Sequence, residues 1–140
     1  MYKNILVATD LLESSQFLIT LAQEVSKAHQ ASLDVLHVIE PPMSAEYAAA
    51  LGFATFPDPS TEGATLVLKA LAEANNIAPE RQHVEVGHVR SKIIEMAEKL
   101  NCELIIIGSH AKPGISQLLG RTAHSVIHHA TCDVLMARVR

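Results

Sequence analysis

Five short apolar runs, separated by stretches in which apolar side chains recur every three or four residues, set the rhythm of this 140-residue chain. Asn4–Ala8, Ser32–Ile39, His83–Val86, Glu103–Gly108 and Asp133–Val139 read as strands. The run Leu104 to Ile107 is apolar on both faces, as suits a strand lying between two helical layers. Between the runs the period changes to that of a helix. Ser14–Ala28 carries Phe17, Leu18, Leu21, Ala22 and Val25 on one broad face, with Ser14 or Ser15 as a cap. Leu66, Leu68, Leu71 and Ala72 mark a second helix that ends near Asn75 and Asn76. Ser91–Leu100 turns Ile93, Ile94, Met96, Ala97 and Leu100 toward a core, and Thr122–His129 forms the last helix. Glu40-Pro41-Pro42 stops the second strand, because proline cannot donate to a ladder.

Strands alternating with helices in this way imply an α/β fold in three α/β/α layers: a parallel five-stranded sheet whose right-handed crossovers place helices on both faces. The length suits one domain, residues 1–140, burying roughly two-thirds of its unfolded surface. Between Met43 and about Thr61 the composition shifts to Ala, Pro and Gly with Tyr47, Phe53 and Phe56. This segment reads as a partly helical excursion over the carboxyl edge of the sheet, either a lid or a surface loop.

Composition removes several function classes. With 11 Lys and Arg against 15 Asp and Glu, a net charge of -4, the chain lacks the concentrated basic face that displaces counterions from nucleic acid. No segment approaches the ~20 apolar residues of a membrane span, and the N-terminal apolar stretch is too short for a signal peptide, so a cytoplasmic location is expected. Cys102 and Cys132 each precede an apolar strand and read as reduced core thiols.

Chemistry concentrates at the exit of the fourth strand. Gly108 ends the apolar run, Ser109-His110-Ala111-Lys112-Pro113-Gly114 follows, and Gly120 precedes the last helical pattern. Such a strand delivers a ligand to the amide-rich, positive end of a helix, which favours an anion. In parallel sheets ligands sit outside the carboxyl ends where strand order reverses. The end of the first strand, Ala8-Thr9-Asp10, faces the same crevice if strands one and four are neighbours. His110 is the best-placed side chain for acid-base chemistry, but no partner to activate water is legible, so no catalytic residue is assigned and any ATP hydrolysis is expected to be slow and incidental. Asp10 and Glu13 after the first strand would repel a pyrophosphate, which disfavours ligase-like relatives of the wider fold. His124, His128 and Cys132, spaced i, i+4, i+8, read as a solvated face rather than a metal site, since Cys132 falls past the helix end.

The opening Tyr-Lys-Asn-Ile-Leu-Val-Ala-Thr-Asp, the central Leu-His-Val, and the long stretch from Ile105-Ile106-Ile107-Gly108 through Gly120-Arg121-Thr122-Ala123 to Cys132-Asp133-Val134-Leu135 together resemble the universal stress protein family across the whole chain. The resemblance implies sheet order 3-2-1-4-5, a homodimer paired through the final strand, Val134 to Val139, and a bound ATP or AMP, with or without Mg2+. Nucleotide-binding members show Gly-x2-Gly-x9-Gly-(Ser/Thr) after the fourth strand. Here Gly108 matches the first glycine, Ala111 replaces the second, eight residues separate Ala111 from Gly120, and Arg121 takes the hydroxyl position with Thr122 beside it. By the same resemblance Asp10 contacts the ribose or a metal-associated group, the Val38 backbone reads the adenine edge, and Ala8 and Thr9 line the base. The implied nucleotide contacts are thus Ala8, Thr9, Asp10, Val38, Gly108, Ser109, His110, Ala111, Gly120, Arg121, Thr122 and Ala123. Against this stand a turn-forming role for Asp10 and plain packing for Val38. On the alternative reading the chain is a nucleotide-free dimeric interaction module, for which Ala111 and Arg121 speak. The final strand is also apolar at an expected sheet edge, a hazard that pairing with a second copy removes.

Overall fold

The computed structural model describes residues 1–12, 14–41, 45–52, 61–110 and 116–139. Strand β1 (Asn4–Ala8) leads into α1 (Ser15–His29), then β2 (Ser32–Ile39), a short α2 (Ala45–Ala50) and α3 (Thr61–Ala74). A 3-10 turn at Pro79–Arg81 enters β3 (Gln82–Val86), followed by α4 (Val89–Lys99), β4 (Leu104–His110), α5 (Ser116–His129) and β5 (Asp133–Val139). The five strands form one sheet in the order β3-β2-β1-β4-β5, and every pairing is parallel. This is the three-layer α/β/α architecture read from the alternation of periods.

Alternate side chains along each strand feed two separate cores. Ile5, Val7, Leu33, Val35, Leu104 and Ile106 meet Leu18, Ile19 and Ala22 of α1 and Leu68 and Ala72 of α3. On the other face Leu6, Leu36, Val38, Ile105 and Ile107 meet Ile93, Met96 and Ala97 of α4 and Ala123 and Val126 of α5. Helix α1 turns a narrower stripe inward than its composition suggests: Ser15, Leu18, Ile19 and Ala22 are buried, whereas Phe17 is 49% exposed. Position 17 lies about 100° from Leu18 around the helix, so a stripe centred on Leu18, Ile19 and Ala22 turns it aside. For the same reason Leu66 of α3 is exposed while Leu68 and Ala72 are buried. Ser14 occupies the N-cap of α1 but its side chain makes no capping hydrogen bond, and Ser15 is already helical.

Two boundaries differ in ways that matter for the site. Strand β4 does not stop at Gly108: β5 supplies partners as far as Ala137, Arg138 and Val139, which hold Gly108, Ser109 and His110 in the ladder. Helix α5 starts at Ser116 rather than Thr122, so Gly120 and Arg121 lie inside it, and its positive end sits about six residues earlier than the glycine suggested. Inside the sheet, Asp34 is a buried acid on β2. Arg81 Nη1 (3.1 Å) and His83 Nε2 (2.9 Å) satisfy its two carboxylate oxygens, so the burial costs little. Among the described residues no helix is long and apolar enough to cross a membrane.

Candidate functional site

The chain winds outward from β1 in both directions, so the switch point lies between β1 and β4, which pair with Ala8 opposite Ile107. A cavity of about 290 Å³ opens there at the carboxyl ends of the strands. Its floor and walls combine strand ends (Ala8, Leu36, Val38, Ile107, Gly108) with side chains from the three nearest helices (Ser15, Leu18, Val89, Ile93, Thr122). Thr9, Asp10, Ser14, His37 and Glu40 complete the lining.

The β1–α1 connection is braced from within. The Thr9 hydroxyl donates to Ser15 Oγ (2.7 Å), and Ser15 Oγ donates to Asp10 Oδ1 (3.3 Å). The backbone N–H of Leu11 donates to Thr9 Oγ1 (3.1 Å), and that of Leu12 to Asp10 Oδ1 (2.9 Å). Leu11 itself takes a left-handed conformation (φ 62°), and the Asp10 side chain stabilises the turn by bonding its own chain two residues on. Asp10 therefore serves the turn and also borders the cavity. Across the crevice His37 Nδ1 lies 2.8 Å from the Thr9 carbonyl oxygen. A carbonyl can only accept, so His37 carries a proton on Nδ1, and in the neutral ring Nε2 is left as an acceptor. This bond ties the end of β2 to the end of β1, where Thr9 N–H also donates to the Leu36 carbonyl (2.9 Å).

Of the residues singled out in the sequence, Ala8, Thr9, Asp10, Val38, Gly108 and Thr122 come together around this cavity. Ser109 and His110 belong to β4 and pair with Arg138 and Val139. Ala123 is fully buried in the core beneath α5, while Arg121 is exposed. Gly120 stands within α5. Ala111 lies outside the described residues, as do most of the positions between 43 and 61 read as a lid; α2 accounts for the helical part of that excursion. Sequence reading gave no site role to the other nine lining residues, among them His37, Glu40, Val89 and Ile93. His37 precedes Val38 on β2 and Glu40 lies just past the end of that strand, so both follow from Val38 by nearness to the strand end. Val89 and Ile93 open α4, one turn apart, and only the crossover topology brings that helix start to the crevice.

The two cysteines behave as structural residues. Cys102 and Cys132 are free thiols; burial, followed by nearby acidic groups, pushes Cys102 up to about 12 and raises Cys132 as well. His124 and His128 are exposed on α5.

The family model described as "Universal stress protein family" matches residues 1–138. Universal stress protein A homolog 1 of Coxiella burnetii (strain RSA 493 / Nine Mile phase I) is 41% identical over 137 residues, covering 96% of this chain and 94% of that protein. Universal stress protein A homolog 2 of the same strain is 38% identical over 143 residues, covering 99% and 97%. Among solved structures, a universal stress protein in complex with cAMP superposes with a TM-score of 0.67 at 19% identity, covering 98% of this chain and 97% of that one. Universal stress protein UspA from Lactobacillus plantarum gives 0.67 at 22% identity, covering 99% and 98%. At these identities the two structures speak for the fold alone.

Proposed function

This chain belongs to the universal stress protein family, and from that premise we propose that it is a regulatory binding protein for an adenine nucleotide, ATP or AMP, rather than a dedicated enzyme. The observation that carries the reading is the cavity at the β1/β4 switch point, lined by apolar strand and helix residues together with Thr9, Asp10, Ser14, Ser15, His37, Glu40 and Thr122. Its volume lies at the lower end of the roughly 300–1,000 Å³ of small-molecule sites, a size suited to a nucleoside. Leu36, Val38, Ile93 and Ile107 offer apolar walls to a purine, and the strand-end backbone at Val38 offers its edge hydrogen bonds. Asp10 and Glu40 suit ribose hydroxyls, and their charge directs the phosphates away toward Gly108, Thr122 and the connection between β4 and α5. Ser109, His110, Ala111, Gly120 and Arg121 remain part of the proposed phosphate side, whereas Ala123, fully buried in the core, packs α5 against the sheet. Mg2+, where it accompanies the nucleotide, would be held through the phosphates, with Asp10 the carboxylate after the first strand that borders the cavity. The universal stress protein solved with cAMP supports a nucleotide as the ligand class.

The proposal takes residues 1–140 as one cytoplasmic domain acting as a homodimer joined through β5. The test is calorimetric titration of nucleotide-stripped protein with AMP, ADP and ATP, each with and without Mg2+. Saturable heat at one nucleotide per chain is expected for at least one of them. Silence with all three sinks the reading and leaves the nucleotide-free interaction module, which Ala111 and Arg121 favour, in its place.

A further inference from the structure

Helix α5 presents a second feature on its outer side. Ala123 and Val126 form its buried stripe against the sheet, so His124 and His128, one turn apart, stand exposed. Their rings meet edge to face, centroids 4.7 Å apart at 78°, with the two Nε2 atoms 3.3 Å from each other. The i, i+4 spacing places two histidines on one face but leaves ring direction open, since each ring has two free torsions. Here both rings have converged on the same small volume through the same nitrogen.

That separation has a chemical meaning. Two imidazole nitrogens, each 2.0–2.1 Å from a tetrahedral ion, lie about 3.3 Å apart. We propose that His124 and His128 form a surface two-histidine site for a borderline divalent transition ion such as Ni2+, Zn2+ or Cu2+. Without metal, one ring donates an Nε2–H to the other ring's Nε2. When the ion enters, that proton moves to Nδ1 of its own ring, both rings remain neutral, both Nε2 lone pairs face the ion, and no net proton is released. Imidazole nitrogen favours these ions over Mg2+ and Ca2+, which take oxygen ligands. Among the described residues no group of three or more His, Cys, Asp or Glu converges, so water fills the remaining positions and the site is open to exchange. His129 does not belong to it: its Nδ1 lies 2.8 Å from the Ser125 carbonyl oxygen, which commits that ring elsewhere.

The test is calorimetric titration of the full-length protein with Ni2+ and, separately, Zn2+, in wild type, His124→Ala, His128→Ala, the double variant and His129→Ala. All the altered side chains are exposed, and circular dichroism checks that each variant keeps its fold. Removing a ligand should cost at least as much as removing an outer-shell partner, about tenfold or more in affinity. Each single variant at position 124 or 128 is therefore expected to weaken the site by that factor and the double variant to abolish it, with His129→Ala matching wild type. Mg2+ in excess should not compete. Affinity retained within twofold in the double variant, or an equal loss in His129→Ala, overturns the proposal, as does a wild type that binds neither ion.

Discussion

At the scale of single residues, Cys102 shows how burial sets chemistry. The thiol lies just ahead of β4 in the second core, and desolvation, reinforced by the nearby Asp34, Cys132 and Glu103, carries its pKa from 9.0 to about 12. The folded state therefore holds a proton that the unfolded chain releases. The stability this confers is complete below pH 9 and declines as pH rises from about 9 toward 12, because only the unfolded thiol ionises there. Cys102→Ala is expected to cost about 1 kcal/mol at pH 8, and the gap between wild type and variant in urea melts should narrow at pH 10. A gap that stays constant between those pH values would refute the assignment. The same residue-level view explains what was legible at the cavity. Asp10 and Gly108 stand out because a strand end with a turn-forming acid or an exit glycine is visible in the string, whereas Val38 entered only through the family resemblance, since plain packing would give the same residue. His37 and Val89 do not stand out, because their position depends on a hydrogen bond and a helix start contributed by other parts of the chain.

At the scale of elements, the connection from β3 into α4 aims Val89 and Ile93 at the crevice, and it turns on Gly87. Its φ of +154° is a conformation that a side chain resists, and an added Cβ would stand 2.8 Å from Lys92 Cε. The lysine tip can swing away, so the cost lies in the backbone. Gly87→Ala should destabilise by about 1–3 kcal/mol, read as a lower urea midpoint at unchanged slope. The loss should be the same in a Lys92→Ala background; a loss that disappears there would assign the cost to the clash instead. Strand identities were readable because parallel, doubly covered strands are continuous apolar runs, and β1, β2 and β5 match their expected limits residue for residue. Two limits beside the site slipped, each for its own reason. His110 is a strand residue because Val139 pairs with it, and Gly120 is helical although an isolated glycine reads as a boundary. In consequence the amide-rich start of α5 is at Ser116, not beside Thr122.

At the scale of the whole molecule, the two margins of the sheet differ in character. The β3 margin carries Gln82, His83 and Glu85, polar side chains of the kind that discourage a further strand. The β5 margin carries Val134-Leu135-Met136, with Met136 48% exposed and β4 as its one neighbouring strand. A row of outward-facing amides and carbonyls beside exposed apolar surface is a template for another strand, and the complement nearest to hand is the same strand of a second copy, related by a two-fold axis. Sedimentation of the wild type at micromolar concentration should therefore show a species of twice the chain mass. Met136→Lys puts a charge into that contact and should raise the dissociation constant about tenfold or more, equivalent to at least about 1.4 kcal/mol, while leaving the urea midpoint of the monomer nearly unchanged because the side chain lies outside both cores. A wild type that sediments as monomer removes the dimer from the proposal. A dimer indifferent to Met136→Lys moves the contact away from β5, and the apolar margin then needs a different partner.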